Sequence, residues 1–216
     1  MEETIKNSSK LLVQYGCGWS SVDGWLNFDS SPTLRLERIP LIGRFVCKNA
    51  RRFPHNVEFG DVVKGLPLNN DSVSYLYCSH VLEHLALDDF RVALKESFRI
   101  LERGGVFRFV LPDFENAIAK YVANQDPNAV SEFLEGTILG QKSRRRGLLG
   151  FVAEWVGGSS HRWMWDYKGM KQELEMAGFS EVRRATFGDS SYLVFGSIED
   201  EGRWIGELGV ECKKPI

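Results

Sequence analysis

No apolar run in this sequence approaches the length that crosses a bilayer, and the first ten positions, Met1 to Lys10, are polar, without an apolar signal core. The expectation is a soluble, cytoplasmic protein with no membrane partner. Cysteine is scarce and scattered: Cys17, Cys47, Cys78 and Cys212 form no C-x-x-C pair and no metal-ligand spacing. That excludes a disulfide scaffold or a zinc knuckle and fits reduced, buried thiols. An excess of either charge is also missing. The 27 basic and 29 acidic residues leave a formal charge of −2, which argues against a broad polyanion-binding face and hence against a nucleic-acid partner. Arg144-Arg145-Arg146 is the local exception, read either as a solvated loop or as a patch for an anionic substrate. Internal repeats and convincing linkers are lacking too, so the chain reads as a single domain over 1–216.

What is present is an alternation of β-prone runs and helical periods. Leu11 to Tyr15 reads as a buried strand that breaks into Gly16-Cys17-Gly18, and Trp25 to Asp29 as a second strand ending on a carboxylate. Val57 to Asp61 is a short third strand, Val73 to Cys78 a buried fourth, and Val106 to Leu111 a fifth. Between the last two, Phe90, Leu94, Phe98 and Leu101 recur at helical spacing. They predict a helix from Asp89 to Glu102, capped by Asp88 or Asp89 and ended by Gly104-Gly105. Residues 114–165 read as an inserted helical or lid segment. A helix over Tyr167 to Ala177, ended by Gly178, precedes final strands at Glu181 to Phe187 and Leu208 to Lys213. This order predicts an α/β fold: a mostly parallel, seven-stranded sheet with helices on both faces.

In such a sheet ligands bind beyond the carboxyl ends of the strands. Four ends offer chemistry. Gly16 and Gly18 let backbone approach a ligand closely, or serve only the geometry of a βα turn. Asp29 can accept bonds from both hydroxyls of a ribose, or cap the Ser30-Ser31-Pro32 turn. Asp61 can hold a base amino group, or cap a loop. After the fourth strand come Ser79, His80, Glu83 and His84. His80 and His84 stand at i and i+4, but the sequence locates no third ligand, so no metal is expected.

Four segments carry a family resemblance. LLVQYGCGWSSVDGWLNFD (11–29), LPLNNDSVSYLYCSHVLEHL (66–85), ESFRILERGGVFRFVLP (96–112) and LEMAGFSEVRR (174–184) occur in the order found in class I, Rossmann-like S-adenosylmethionine-dependent methyltransferases, and the chain resembles the type 11 group. The resemblance implies S-adenosylmethionine as cofactor. Gly16, Cys17 and Gly18 would bracket its methionine part, Asp29 its ribose hydroxyls, Asp61 and Val62 its adenine, and Ser79 and His80 would line the cleft near the methyl. The stretch from Gly18 to Asp29 is shorter than in most of that family, so the first helix is expected to be shortened or replaced by a loop holding Trp19 and Trp25. A third glycine is missing, and Arg103 stands where proline usually precedes the glycine pair.

The expected activity is methyl transfer to a small-molecule acceptor, with alignment doing most of the catalysis. Tyr15, Trp19 and Trp25 are candidates to face a sulfonium, or ordinary packing. Should the acceptor be a hydroxyl, His80, His84 and His161 are the candidate bases. The alternative is a non-catalytic, cofactor-binding regulator that keeps the fold. A nicotinamide dehydrogenase would need a fuller glycine motif and a longer first helix.

Overall fold

The β-prone runs assemble into one sheet in a computed structural model that describes residues 10–40, 52–140 and 160–216. Its strands are β1 (Leu12–Tyr15), β2 (Leu26–Asp29), β3 (Val57–Phe59), β4 (Val73–Ser79), β5 (Leu101–Leu111), β6 (Ser180–Ala185) and β7 (Leu208–Lys213), in the order β3-β2-β1-β4-β5-β7-β6. All neighbours among the first five strands pair in parallel, and β7 runs antiparallel to both β5 and β6. Strand order reverses between β1 and β4, so the carboxyl ends of these two strands flank the crevice where such sheets take ligands.

The helices are α1 (Pro32–Glu37), α2 (Leu87–Ile100), α3 (Phe114–Ala123), α4 (Ala129–Gly136) and α5 (Tyr167–Met176). Helix α2 stops at Ile100, short of the expected end, and Leu101 pairs at once with Val73. The glycine pair therefore lies inside β5. A side chain at Gly105 would sit 3.0 Å from the Val73 carbonyl oxygen and 2.8 Å from that of Glu102, so only glycine lets the strands close there. Gly178 ends α5 as expected, at a φ of +104°.

No helix joins β1 to β2. Residues 16–25 form a loop held by two buried amides from the strands beneath it. Gln14 Nε2 donates to the Ser20 carbonyl at 3.0 Å; Asn27 Oδ1 accepts from Val22 N at 3.0 Å, and Asn27 Nδ2 donates to the Trp25 carbonyl at 2.7 Å. These side chains satisfy backbone groups that a helix would have satisfied internally.

Helices lie on both faces, but unequally. Helices α2 and α5 cover one face, packing Phe90, Leu94, Met170 and Leu174 over Leu76 and Phe107. The other face carries the six-residue α1 at the β3 end, where Leu34 meets Val57. Its remainder is covered by residues 186–207, whose Phe195 and Trp204 pack on Tyr75, Tyr77 and Val106. Sequence polarity explains this. Across that face the register aligns Asn27, Gln14, Tyr77, Arg108, Glu211 and Arg183 in one polar row. A helix would lay an apolar stripe over these groups; the irregular connection brings carboxylates and carbonyls instead. Arg108, fully buried, donates to Asp189 at 2.9 Å, to Glu211 at 3.1 Å, to the Thr186 carbonyl at 2.7 Å and, through Nε, to Glu199.

Past β5 the chain leaves the sheet and returns to the same point. Asp113 and Trp165 form an isolated parallel bridge, and Phe114 N donates to the Trp165 carbonyl at 3.0 Å. Within the excursion α3 and α4 pack through Tyr121 and Phe133. Among the described residues no helix is long and apolar enough to cross a membrane. Arg144 to Arg146 and Cys47 lie outside the described residues, and the other three cysteines are buried free thiols.

Candidate functional site

Strand β1 ends in backbone that only glycine adopts readily: φ is +67° at Gly16 and +54° at Gly18. Between them Cys17 donates its N–H to the Phe28 carbonyl at 3.1 Å, tying this turn to β2. Burial, then Asp29, pushes the Cys17 thiol up to about 12, so it is no nucleophile at neutral pH. The turn opens on a cleft of about 350 Å³ bounded by Gly16, Gly18, Trp19, Ser79, Asp200 and Arg203. A Cβ on Gly18 would meet nothing within 4 Å, whereas one on Gly16 would come 2.2 Å from Val81 Cγ2.

Asp29, at the end of β2, accepts from Gly18 N at 2.9 Å and from Ser31 N at 2.8 Å. It thus caps its own turn and props the glycine loop at once, with lone pairs left for further donors. Asp61, past the end of β3, accepts from Val63 N at 3.1 Å and pairs with Lys64 at 2.8 Å, while Val62 is buried in the core; neither borders the cleft. Of the aromatic candidates, Tyr15 and Trp19 border it. Trp19 stacks on Phe53 with centroids 5.3 Å apart, and Trp25 is packed in the opposite-face core, its indole donating to Ser197 at 3.2 Å.

At the end of β4, Arg203 lies over Ser79, donating from Nε to the hydroxyl at 2.7 Å and from Nη2 to the carbonyl at 2.8 Å. His80 follows in the left-handed region at φ +53°, a conformation that strains a residue with a Cβ. Its Nε2 bonds the Arg203 carbonyl at 3.0 Å, and its Nδ1 lies 3.3 Å from Glu83 Oε1. Burial pulls the His80 imidazole down, but Glu83 and the Arg203 carbonyl outweigh it and the net shift is upward.

The strand-end turn also gathers the other two candidate histidines. Nε2 of His84 lies 3.9 Å, and Nε2 of His161 4.0 Å, from the same Glu83 oxygen. Their rings meet edge-on with centroids 5.0 Å apart. The tie is made by backbone: Arg162 N and Trp163 N donate to the Glu83 carbonyl at 2.8 and 3.2 Å. Burial, acting first, holds His161 below its usual range. Glu83 is fully buried. A second cavity of about 280 Å³ lies beyond β5, bordered by Asp113, Lys120, Tyr121, Phe133, Met164 and Glu207. Burial pushes the Glu207 carboxyl up.

Reading the sequence alone named Glu83 without giving it a role, and missed Asp200 and Arg203. Glu83 left a trace, a carboxylate flanked by Leu82 and His84 and three positions past His80. Asp200 and Arg203 left none, because only the antiparallel return of β7 carries them to β4.

Residues 13–109 match the model of the methyltransferase domain family. That match runs from β1 into β5 and spans 97 of the chain's 216 residues. No curated protein sequence matches it. Among solved structures, the chain is similar to one from the complex between the Haloferax volcanii Trm112 methyltransferase activator and a candidate methyltransferase, at 18% identity and a TM-score of 0.51, covering 96% of this chain and 83% of that one. The CurJ carbon methyltransferase matches at 11% identity and a TM-score of 0.50, over 99% of this chain and 50% of that one. These likenesses concern the fold. The cofactor of a methyltransferase domain of this class is S-adenosylmethionine. The groups at the β1 edge suit it: an open glycine turn, a carboxylate at the end of β2, and Asp200 with Arg203 as opposite charges on one cleft wall.

Proposed function

We propose that this methyltransferase domain is an active enzyme that methylates a small polar acceptor. The observation that carries this reading is the pair of neighbouring cavities, one on the glycine turn and one beyond β5, joined by the segment that bears Arg203, Gly206 and Glu207. In this reading Gly16, Cys17 and Gly18 bracket the methionine part of S-adenosylmethionine, and Asp29 accepts from its ribose hydroxyls. Asp200 and Arg203 face the ammonium and carboxylate of its amino-acid end. Asp61 and Val62, next along the same edge, stand on the adenine side, and Ser79 and His80 close the floor.

When bound there, the cofactor supplies a methyl group already activated by a sulfonium. The chain's own task is then alignment and exclusion of water. Both nitrogens of His80 face protein groups, the Arg203 carbonyl and Glu83, so this ring orients the β4 turn rather than the acceptor. Within 114–165, the described residues 114–140 and 160–165 form the acceptor-facing part of the single domain: they leave and rejoin the sheet at the Asp113–Trp165 bridge, and α3 with α4 walls the second cavity. The mixed lining, which includes Asp113, Glu207, Lys120 and Tyr121, favours a polar molecule.

Thermal unfolding with S-adenosylmethionine, S-adenosylhomocysteine and NAD tests the cofactor site. Saturation at a hundred times the dissociation constant adds about 2.7 kcal/mol. Stabilisation by the two sulfur compounds and not by NAD, followed by turnover with a screened acceptor, supports the reading. Stabilisation without turnover of any acceptor would leave the non-catalytic regulator.

A further inference from the structure

Three of the chain's four histidines converge on one carboxylate, and their hydrogen bonds leave that carboxylate without a counter-charge. His84 Nδ1 lies 3.3 Å from the Ser160 carbonyl, an oxygen that can only accept, so Nδ1 carries the proton and Nε2 presents a lone pair. That nitrogen lies 3.9 Å from Glu83 Oε1. His161 Nε2 lies 4.0 Å from the same oxygen. Both oxygens of Glu83 are buried and lack a hydrogen-bond partner among the described residues, as does Nδ1 of His161. Lone pairs facing a desolvated carboxylate repel, and a buried, unpaired carboxylate is costly. One proton on His80 satisfies at most one oxygen. The remaining donors need a cation among them.

We propose that Glu83, His84 and His161 bind one divalent first-row metal ion of the zinc class, with His80 Nδ1 standing 3.3 Å from Glu83 Oε1 beside it. One donor atom from each of the three residues falls within 4.8 Å of the others. The imidazole nitrogens lie 3.9 and 4.0 Å from Glu83 Oε1; about 3.3 Å is expected between ligands with bonds of roughly 2.0–2.1 Å, so small side-chain rotations close the site. Two imidazoles and a carboxylate suit zinc, cobalt, nickel or iron(II) better than magnesium or calcium. The ligands come with supports: the Ser160 carbonyl fixes the His84 tautomer, and Arg162 N and Trp163 N hold the Glu83 backbone. Three protein ligands leave a coordination position open. Metal binding itself does not depend on the methyltransferase reading.

The test is titration of the chelator-treated full chain with Co²⁺, followed by visible absorption, and with Zn²⁺ by calorimetry. Expected are one ion per chain, a ligand-field spectrum of low coordination number, and displacement of Co²⁺ by Zn²⁺. His161→Ala and Glu83→Gln should each weaken binding by at least about 100-fold, while His55→Ala, at the exposed fourth histidine, leaves it unchanged. Far-UV circular dichroism checks that the variants fold. The wild-type spectrum stands without them: no saturable Co²⁺ spectrum, or one that survives in folded His161→Ala, overturns the proposal.

Discussion

Gly16 and Gly18 are equivalent in the motif but not in the molecule. At Gly16 a side chain would collide with Val81 at 2.2 Å, on top of a positive φ; at Gly18 the φ is positive but the space is open to the cleft. Gly16→Ala is therefore expected to destabilise the fold by about 2–3 kcal/mol, and Gly18→Ala by about 1 kcal/mol. Urea unfolding of the two variants separates these costs, and equal values would refute the distinction. Asp29 carries two loads, the Gly18 N–H and the reading as ribose acceptor. In Asp29→Asn an amide hydrogen opposes one of the two N–H donors, or turns away and leaves it unpaired. The expected result is a loss of about 1–3 kcal/mol and disappearance of the thermal shift with S-adenosylmethionine. A retained shift would move the ribose site elsewhere.

At the scale of elements, the connection over 186–207 covers most of the face on which α1 lies, and Arg108 is its anchor. Glu199, whose side chain is 1% exposed, shares that guanidinium with Asp189 and Glu211. Weakening one of three charge-assisted bonds to a buried guanidinium costs about 1.5–3 kcal/mol, so Glu199→Gln should lower the unfolding midpoint and loosen Phe195 and Trp204 from the sheet. Tryptophan fluorescence during denaturation reports both. Asp189 sets the acid behaviour of the same network. Burial pushes its carboxyl up, but Arg183, Thr186 N–H and Arg108 outweigh it and hold it at about 2 against 3.8. A depressed acid stabilises the fold when ionised. Its contribution is thus complete above about pH 4 and fades as pH falls toward about 2, at most roughly 2 kcal/mol. The stability gap between the wild type and Asp189→Asn should shrink over that interval; a gap independent of pH would show that Asp189 is not titrating there.

For the whole molecule, the two cavities predict separable functions. Tyr121→Ala and Lys120→Ala, on the wall beyond β5, should alter acceptor KM or choice and leave the S-adenosylmethionine thermal shift unchanged. If both quantities move together, the cavities are one site. The sheet itself was legible early: every strand but β5, which begins five residues ahead of its β-prone run, lies within a residue or two of expectation, and Gly16, Gly18 and Asp29 meet at one edge as their strand-end positions implied. Strand period and turn chemistry are properties of a few neighbouring residues, so the sequence by itself determined them. It did not determine what covers the second face, because the polar row from Asn27 to Arg183 is formed across six strands and exists only in register. Nor could it bring His161 to Glu83 and His84. His161 follows the excursion beyond β5, and only the Asp113–Trp165 bridge, with the bonds of Arg162 and Trp163 to the Glu83 carbonyl, returns it to the end of β4. Such convergence depends on long-range pairing, which local composition does not encode.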